Sequence, residues 1–153
     1  MDLITDLPLL DGFDSILVVV DRGLTKGVIL LLCNKTITAE QVANLLLENL
    51  YKRSGLPDKI ISDWGPQFTA HAFCELLKLL NVTSKLSMAY HPLTDGATER
   101  VNQEIETYLS IFCSSFPEEW AKKLFLVEFT HNNRQHALRT HARRIPQNIA
   151  NNL

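Results

Sequence analysis

Two unbroken apolar runs stand near the start of the chain: Ser-Ile-Leu-Val-Val-Val-Asp over 15–21 and Gly-Val-Ile-Leu-Leu-Leu-Cys over 27–33. Both are far shorter than the roughly 20 residues a bilayer span needs. Rich in β-branched residues, they read as buried strands, and the short polar link over 22–26 predicts an antiparallel hairpin. Asp2 to Thr5 predicts a further strand, and the segment 8–14, centred on Asp11-Gly12, a turn. The period then becomes helical. Thr38 is a candidate N-cap, with Gln41 three residues later completing a capping box. The helix it opens runs to about Arg53, with Val42, Leu45, Leu46 and Leu50 on its apolar face. Ser54-Gly55-Leu56-Pro57 stops it. Lys59 to Ser62 is a short strand leading into Asp63. A second helix begins at Phe68 or Thr69, with Phe73, Leu76, Leu77 and Leu80 inward. Val82 to Leu86 is a short strand and Met88 to Gly96 a loop. A third helix is expected over 98–116, with Val101, Ile105, Leu109 and Phe112 on one face. A fourth starts at Pro117-Glu118-Glu119 and carries the apolar residues Trp120, Leu124, Val127 and Phe129. From Gln135 the pattern fades. The order of elements predicts a mixed sheet flanked by helices in one α/β domain, with no internal repeat and no linker.

Composition changes this picture little. The chain has 153 residues, 46% hydrophobic and 21% charged, which is ordinary globular usage. Its formal net charge of −2 provides no strong positive field for nucleic acid. Any such binding must come from a local basic surface, a bound cation or a partner domain. Cys33, Cys74 and Cys113 are widely spaced and form no zinc-binding pattern, so reduced thiols and an intracellular setting are expected. Met1 is followed by an acid rather than by a basic segment and an apolar run, so no signal peptide and no membrane partner are expected.

The candidate chemistry is acidic. Asp63 closes a predicted strand, Glu99 lies in the first turn of a predicted helix, and 35 residues separate them. Asp2 is a third carboxylate. Hard oxygen donors suit Mg²⁺ or Mn²⁺, and two such ions roughly 3.5–4 Å apart can clamp both oxygens exchanged at a phosphodiester. Singly, each residue has a plainer reading. Asp63 could shape a turn, Glu99 could complement its helix dipole, and Asp2 could be a terminal charge. Asn102 and Gln103 lie three and four residues past Glu99 on the same helical face, where amides could meet nucleic acid or simply face solvent. Tyr90 and His91, in the preceding loop, could line nucleic acid or pack. Arg134, Arg139, Arg143 and Arg144 could contact phosphates or form a solvated tail.

The words around these residues carry a resemblance. Met1-Asp2-Leu3-Ile4-Thr5, the stretch from Asp14 to Arg22, Gly55-Leu56-Pro57, Ser62-Asp63, Gly65-Pro66-Gln67-Phe68, Ala89-Tyr90-His91-Pro92, Thr94-Asp95-Gly96 and Thr98-Glu99-Arg100-Val101-Asn102-Gln103 occur in order, followed by Glu128-Phe129 and Asn132-Asn133. Together they resemble the integrase catalytic core of Ty3/gypsy-type long-terminal-repeat retrotransposons over about residues 1–136. The segment 137–153 is a divergent tail, expected to be poorly ordered.

The resemblance implies a ribonuclease H-like fold with a mixed five-stranded sheet. Because the chain begins one residue before Asp2, the first strand is expected to be truncated. It implies that Asp2, Asp63 and Glu99 are the catalytic, metal-binding carboxylates, and that Mg²⁺ (or Mn²⁺) is the cofactor. It implies DNA 3′-end processing and strand transfer, that is, DNA integration by a polynucleotidyl transferase. The implied partners are element ends and target DNA, further copies of the chain, and other domains of a Gag-Pol-type polyprotein, with the nucleus as the place of action. The alternative is a catalytically dead nucleic-acid-binding or interaction remnant of such a polyprotein.

Overall fold

The structure is a computed structural model that describes residues 1–23, 25–52, 55–62, 65–86 and 92–134. Five strands are found among them. Strands β1 (Asp2–Ile4), β2 (Ser15–Val20) and β3 (Val28–Cys33) form an antiparallel sheet in that order. Strands β4 (Lys59–Ser62) and β5 (Thr83–Leu86) pair in parallel. Among the described residues, a hydrogen bond links the two sheets: the Met1 nitrogen donates to the Ile61 carbonyl at 2.6 Å.

The unbroken apolar runs are explained by burial on both faces. Alternate side chains of a strand point to opposite sides. Leu17 and Leu31 enter one core, with Val42 and Leu46 of helix α1 (Ala39–Leu46) and with Phe68, Phe73 and Leu77. Their neighbours Ile16, Val18 and Leu30 enter a second core, with Val101, Ile105, Trp120, Leu124 and Val127. Helices therefore cover both sides, and no polar alternation is needed.

The capping box at the start of α1 forms as its sequence predicts. The Gln41 amide N–H donates to the Thr38 hydroxyl, and the Thr38 N–H donates to the Gln41 side chain. The helix then widens into a π turn over Leu47–Tyr51, which carries Tyr51 inward. The turn at Asp11-Gly12 also forms, both residues having positive φ, with Leu10 and Phe13 bridged across it.

Four expectations are corrected. The second helix is split into α2 (Pro66–Thr69) and α3 (His71–Leu79), because Ala70 is extended at ψ 137° and its carbonyl opens the second piece. The expected loop up to Gly96 is helical from Pro92: helix α4 spans Pro92–Phe112. A proline is well suited to the first turn, where its missing N–H has no partner to lose, and one interior glycine costs only about 1 kcal/mol. The same helix stops at Phe112 rather than 116, since Pro117 restricts Phe116 and starts a 3₁₀ turn (Pro117–Glu119). Finally, helix α5 (Trp120–Asn133) buries Trp120, Leu124, Val127 and His131, a stripe at helical spacing that leaves Phe129 65% exposed. No helix among the described residues is long and apolar enough to cross a membrane.

Candidate functional site

Asp2 lies opposite Val18 in the antiparallel ladder, next to the strand end bridged to β4. Its Oδ1 accepts the Leu3 N–H at 2.9 Å. Its Oδ2 accepts the Asn102 Nδ2 at 2.7 Å, a contact spanning 100 residues. Asn102 can reach it because Val101, Ile105 and Leu109 seat α4 on the same core as Ile4 and Val18. Glu99 lies three residues before Asn102, so the two share one helical face with Cβ atoms roughly 5–6 Å apart. It is exposed and makes no hydrogen bond or ion pair among the described residues. One turn of helix therefore carries Glu99 into the neighbourhood of Asp2.

A second link fixes that turn of helix. Arg22 Nη2 donates to Thr98 Oγ1 at 2.7 Å, tying the β2–β3 turn to the residue before Glu99. The turn is organised by Asp21, whose carboxylate accepts from the Gly23 N–H, the Thr25 N–H and the Thr25 hydroxyl. The Thr25 hydroxyl, with further help from the two amides and Lys26, holds the Asp21 carboxyl below its usual range against the opposing effect of burial. The Lys26 ammonium donates to the Arg22 carbonyl.

Of the remaining site candidates, Gln103 is exposed on α4, while Tyr90, His91 and Asp63 lie outside the described residues. The residue before Asp63, Ser62, is buried at the end of β4, and Ile61 accepts the bond from Met1. Among the described residues no three His, Cys, Asp or Glu side chains cluster to hold a metal. The donor end of Asn102, expected to meet nucleic acid or solvent, is committed to Asp2. Arg134 pairs with Glu104, which also lies 3.4 Å from His131 Nδ1 and from the Tyr108 hydroxyl. The rest of the arginine segment lies outside the described residues.

The donor set suits a hard divalent cation. Among the described residues each Asp2 oxygen accepts a single hydrogen bond and retains lone-pair capacity. The Asn102 Oδ1 is buried with no hydrogen-bond partner among the described residues, which marks the place as polar. A groove of about 910 Å³ opens elsewhere, between β3, α1 and α5, and none of its lining residues is a site candidate.

Sheet, helices on both faces, and carboxylates at a strand and at a helix facing it define a ribonuclease H-like α/β domain. Residues 1–92 match the integrase core domain family, and the chain belongs to it. Its curated relatives include the Tf2-3 and Tf2-4 transposon polyproteins of Schizosaccharomyces pombe, each 39% identical over 137 residues, or 90% of this chain. The chain spans 10% of their length. Among solved structures, the catalytic core domain of BIV integrase is 25% identical, with a TM-score of 0.65, over 90% of this chain and 86% of that one. The simian T-cell lymphotropic virus intasome structure, with PP2A regulatory subunit B56 gamma, contains a chain of the same fold at 21% identity. It has a TM-score of 0.73, over 95% of this chain and 55% of that one. The HTLV-2 integrase catalytic core, solved with magnesium, is 19% identical with a TM-score of 0.61, over 84% of this chain and 81% of that one.

Proposed function

We propose that this domain is the catalytic core of a retrotransposon integrase that trims DNA 3′ ends and joins them to target DNA. Asp2, Asp63 and Glu99 would hold Mg²⁺ or Mn²⁺. The observation that carries this reading is the 2.7 Å bond from Asn102 to Asp2, because it draws the helix turn bearing Glu99 to the strand bearing Asp2. The bond from Met1 to Ile61 supports the third position, since Asp63 is two residues further along the chain.

Both steps are in-line attacks on phosphorus, by water in the first and by a DNA 3′-hydroxyl in the second. Bound cations would make the nucleophile more acidic and stabilise the charge that develops on the phosphate oxygens. The task of this chain is then placement. β1 supplies one carboxylate, the end of β4 supplies the next residue to Asp63, and the first half of α4 supplies Glu99. No covalent protein intermediate is needed, so the buried Cys33 and Cys113 have no role in the chemistry. DNA ends and target DNA are the proposed substrates. Gln103, Tyr90 and His91 are proposed to line the DNA, further copies of the chain to complete the assembly, and the polyprotein context to supply other domains. The nucleus is the proposed place of action.

The test is joining on a branched DNA substrate with Mg²⁺ or Mn²⁺. The expected result is metal-dependent joining that is lost in Asp63→Asn and in Asp2→Asn. A chain that binds DNA, gives no joining with either metal and does not change on Asp63→Asn substitution overturns the enzymatic reading in favour of an inactive remnant.

A further inference from the structure

The core holds α4 from Val101 onward. Val101, Ile105 and Leu109 are buried, and all three come after Glu99 in the chain. Among the described side chains, the tie on the N-terminal side of Glu99 is the bond from Arg22 Nη2 to Thr98 Oγ1, 2.7 Å long and 76 residues apart in sequence. Both partners are half-buried. A guanidinium donor makes the bond charge-assisted, and so stronger than a neutral pair. Successive helix residues are turned through about 100°. A bond that pins Thr98 therefore sets the direction in which Glu99 leaves the helix.

The arginine is itself mounted. The Asp21 carboxylate accepts from the Gly23 N–H, the Thr25 N–H and the Thr25 hydroxyl, and the Asp21 N–H donates to the Gly27 carbonyl at 2.9 Å. The Lys26 ammonium donates to the Arg22 carbonyl. A side chain at Gly23 would crowd this ring, since its Cβ would stand 3.1 Å from an Asp21 oxygen. The polar groups of the turn are thus spent on the backbone around Arg22, while the Arg22 side chain crosses to α4.

We infer that Arg22 is a positioning residue for Glu99: through the Thr98 hydroxyl it fixes the helix turn that carries this carboxylate, and the turn centred on Asp21 is its mount. The inference rests on the proposed role of Glu99 as a metal ligand. Arg22 acts here by geometry and not by its charge. A cation beside a metal site opposes metal binding, so charge alone predicts that its removal tightens binding. Loss of a partner that orients a ligand predicts the reverse, typically a weakening of roughly 10–100-fold.

Binding of Mn²⁺ to the DNA-free full chain, followed by electron paramagnetic resonance, tests this without any activity measurement. Thr98→Val keeps shape and charge and removes the hydroxyl, and it is expected to weaken Mn²⁺ binding roughly 10-fold. Thr98→Ser keeps the hydroxyl and is expected to bind as the wild type does. Arg22→Met is expected to weaken binding, and no further when combined with Thr98→Val. In a Glu99→Gln background, Thr98→Val is expected to add nothing, because the carboxylate it positions is gone. A Thr98→Val chain that binds Mn²⁺ as the wild type does overturns the inference and leaves the proposed function standing. Tighter binding by Arg22→Met, or an equal loss from Thr98→Val with and without Glu99, overturns it too. If the wild-type chain binds no Mn²⁺, the proposed function fails and takes the inference with it. The wild-type protein gives a check that does not depend on variant folding: the Arg22 guanidinium resonances are expected to be protected from solvent exchange. Fully exchanging Arg22 resonances would contradict the bond on which the inference stands.

Discussion

Asn132 closes the open edge of the sheet by pairing both backbone groups of Val28 with one side-chain amide. Its Oδ1 accepts the Val28 N–H at 2.8 Å and its Nδ2 donates to the Val28 carbonyl at 2.8 Å, across 104 residues. The fit is close: a Cβ on Gly27 would come within 3.1 Å of the Asn132 oxygen. Glu128, one turn earlier on α5, accepts the Leu30 N–H at 2.9 Å. Helix side chains thus substitute for a neighbouring strand along part of β3.

Replacing Asn132 by alanine leaves two backbone groups of a buried residue without these partners. The expected loss is about 2 kcal/mol of unfolding free energy, within the range for unsatisfied buried groups. Urea denaturation checks it, as a fall in the midpoint at unchanged slope. Asn132→Asp is expected to be no better than alanine, because a carboxylate cannot donate to the Val28 carbonyl.

Trp120 is 2% exposed, and its Nε1 donates to the Pro8 carbonyl at 2.6 Å. Trp120→Phe keeps most of the apolar bulk and removes the donor. It is expected to cost about 1–2 kcal/mol, against about 3–5 for Trp120→Ala. Thermal denaturation of both variants separates the bond from the packing.

Glu99 is exposed and makes no contact of this kind among the described residues. Glu99→Gln is therefore expected to change stability by less than about 0.5 kcal/mol. Under the proposed function it lowers metal-dependent joining at least about 100-fold, a loss of preorganised charge at the reacting phosphate. A variant with wild-type stability and wild-type joining would separate Glu99 from the chemistry.

The Asp21 turn gives a pH signature. Its carboxyl is held below the usual aspartate value of 3.8, first by the Thr25 hydroxyl. A lowered folded-state pKa means that the turn is reinforced above the unfolded value, and that this support is lost as pH falls through the lower folded value. Between pH 5 and 8 no change is expected from this group. The amide resonances of Gly23 and Thr25 are expected to titrate together with a midpoint below 3.8, and the titration to vanish in Asp21→Ala.

Thiol labelling should follow burial. Cys33 is 3% exposed, and burial pushes its thiol up to about 11. At pH 8 only about a thousandth of it is thiolate, which is the reactive form. Cys113 is also buried, and burial raises its thiol pKa. A disulfide reagent at pH 8 is expected to modify the partly exposed Cys74 first, and Cys33 only on unfolding. Stoichiometric labelling of Cys33 in the folded chain would contradict its placement in the core.

Local patterns in the chain were sufficient for whatever depends on nearest neighbours and a fixed period. The hairpin of β2 and β3 follows from two apolar runs and a short link, and the capping box from Thr38 and Gln41 three residues apart. Phe73, Leu77, Val101, Ile105 and Leu109 fall on buried faces because helical spacing alone sorts them. The family could be read because its sequence words are short, local and densely spaced, and the matching integrase core family agrees with that reading.

What only the tertiary structure decided are contacts between residues a hundred positions apart. Nothing in the sequence near Asn102 indicates that its amide meets Asp2, or near Asn132 that it meets Val28. Each bond depends on how α4 and α5 are rotated and advanced over the sheet, which is settled by packing of the whole core. The same cause accounts for the exposure of Phe129, where local hydrophobicity points the other way. Sequence determined which carboxylates were available and on which elements they stand. The seating of helix on sheet decided that Asp2 and the turn bearing Glu99 come together, because only a packed core fixes the relative position of elements that the chain separates.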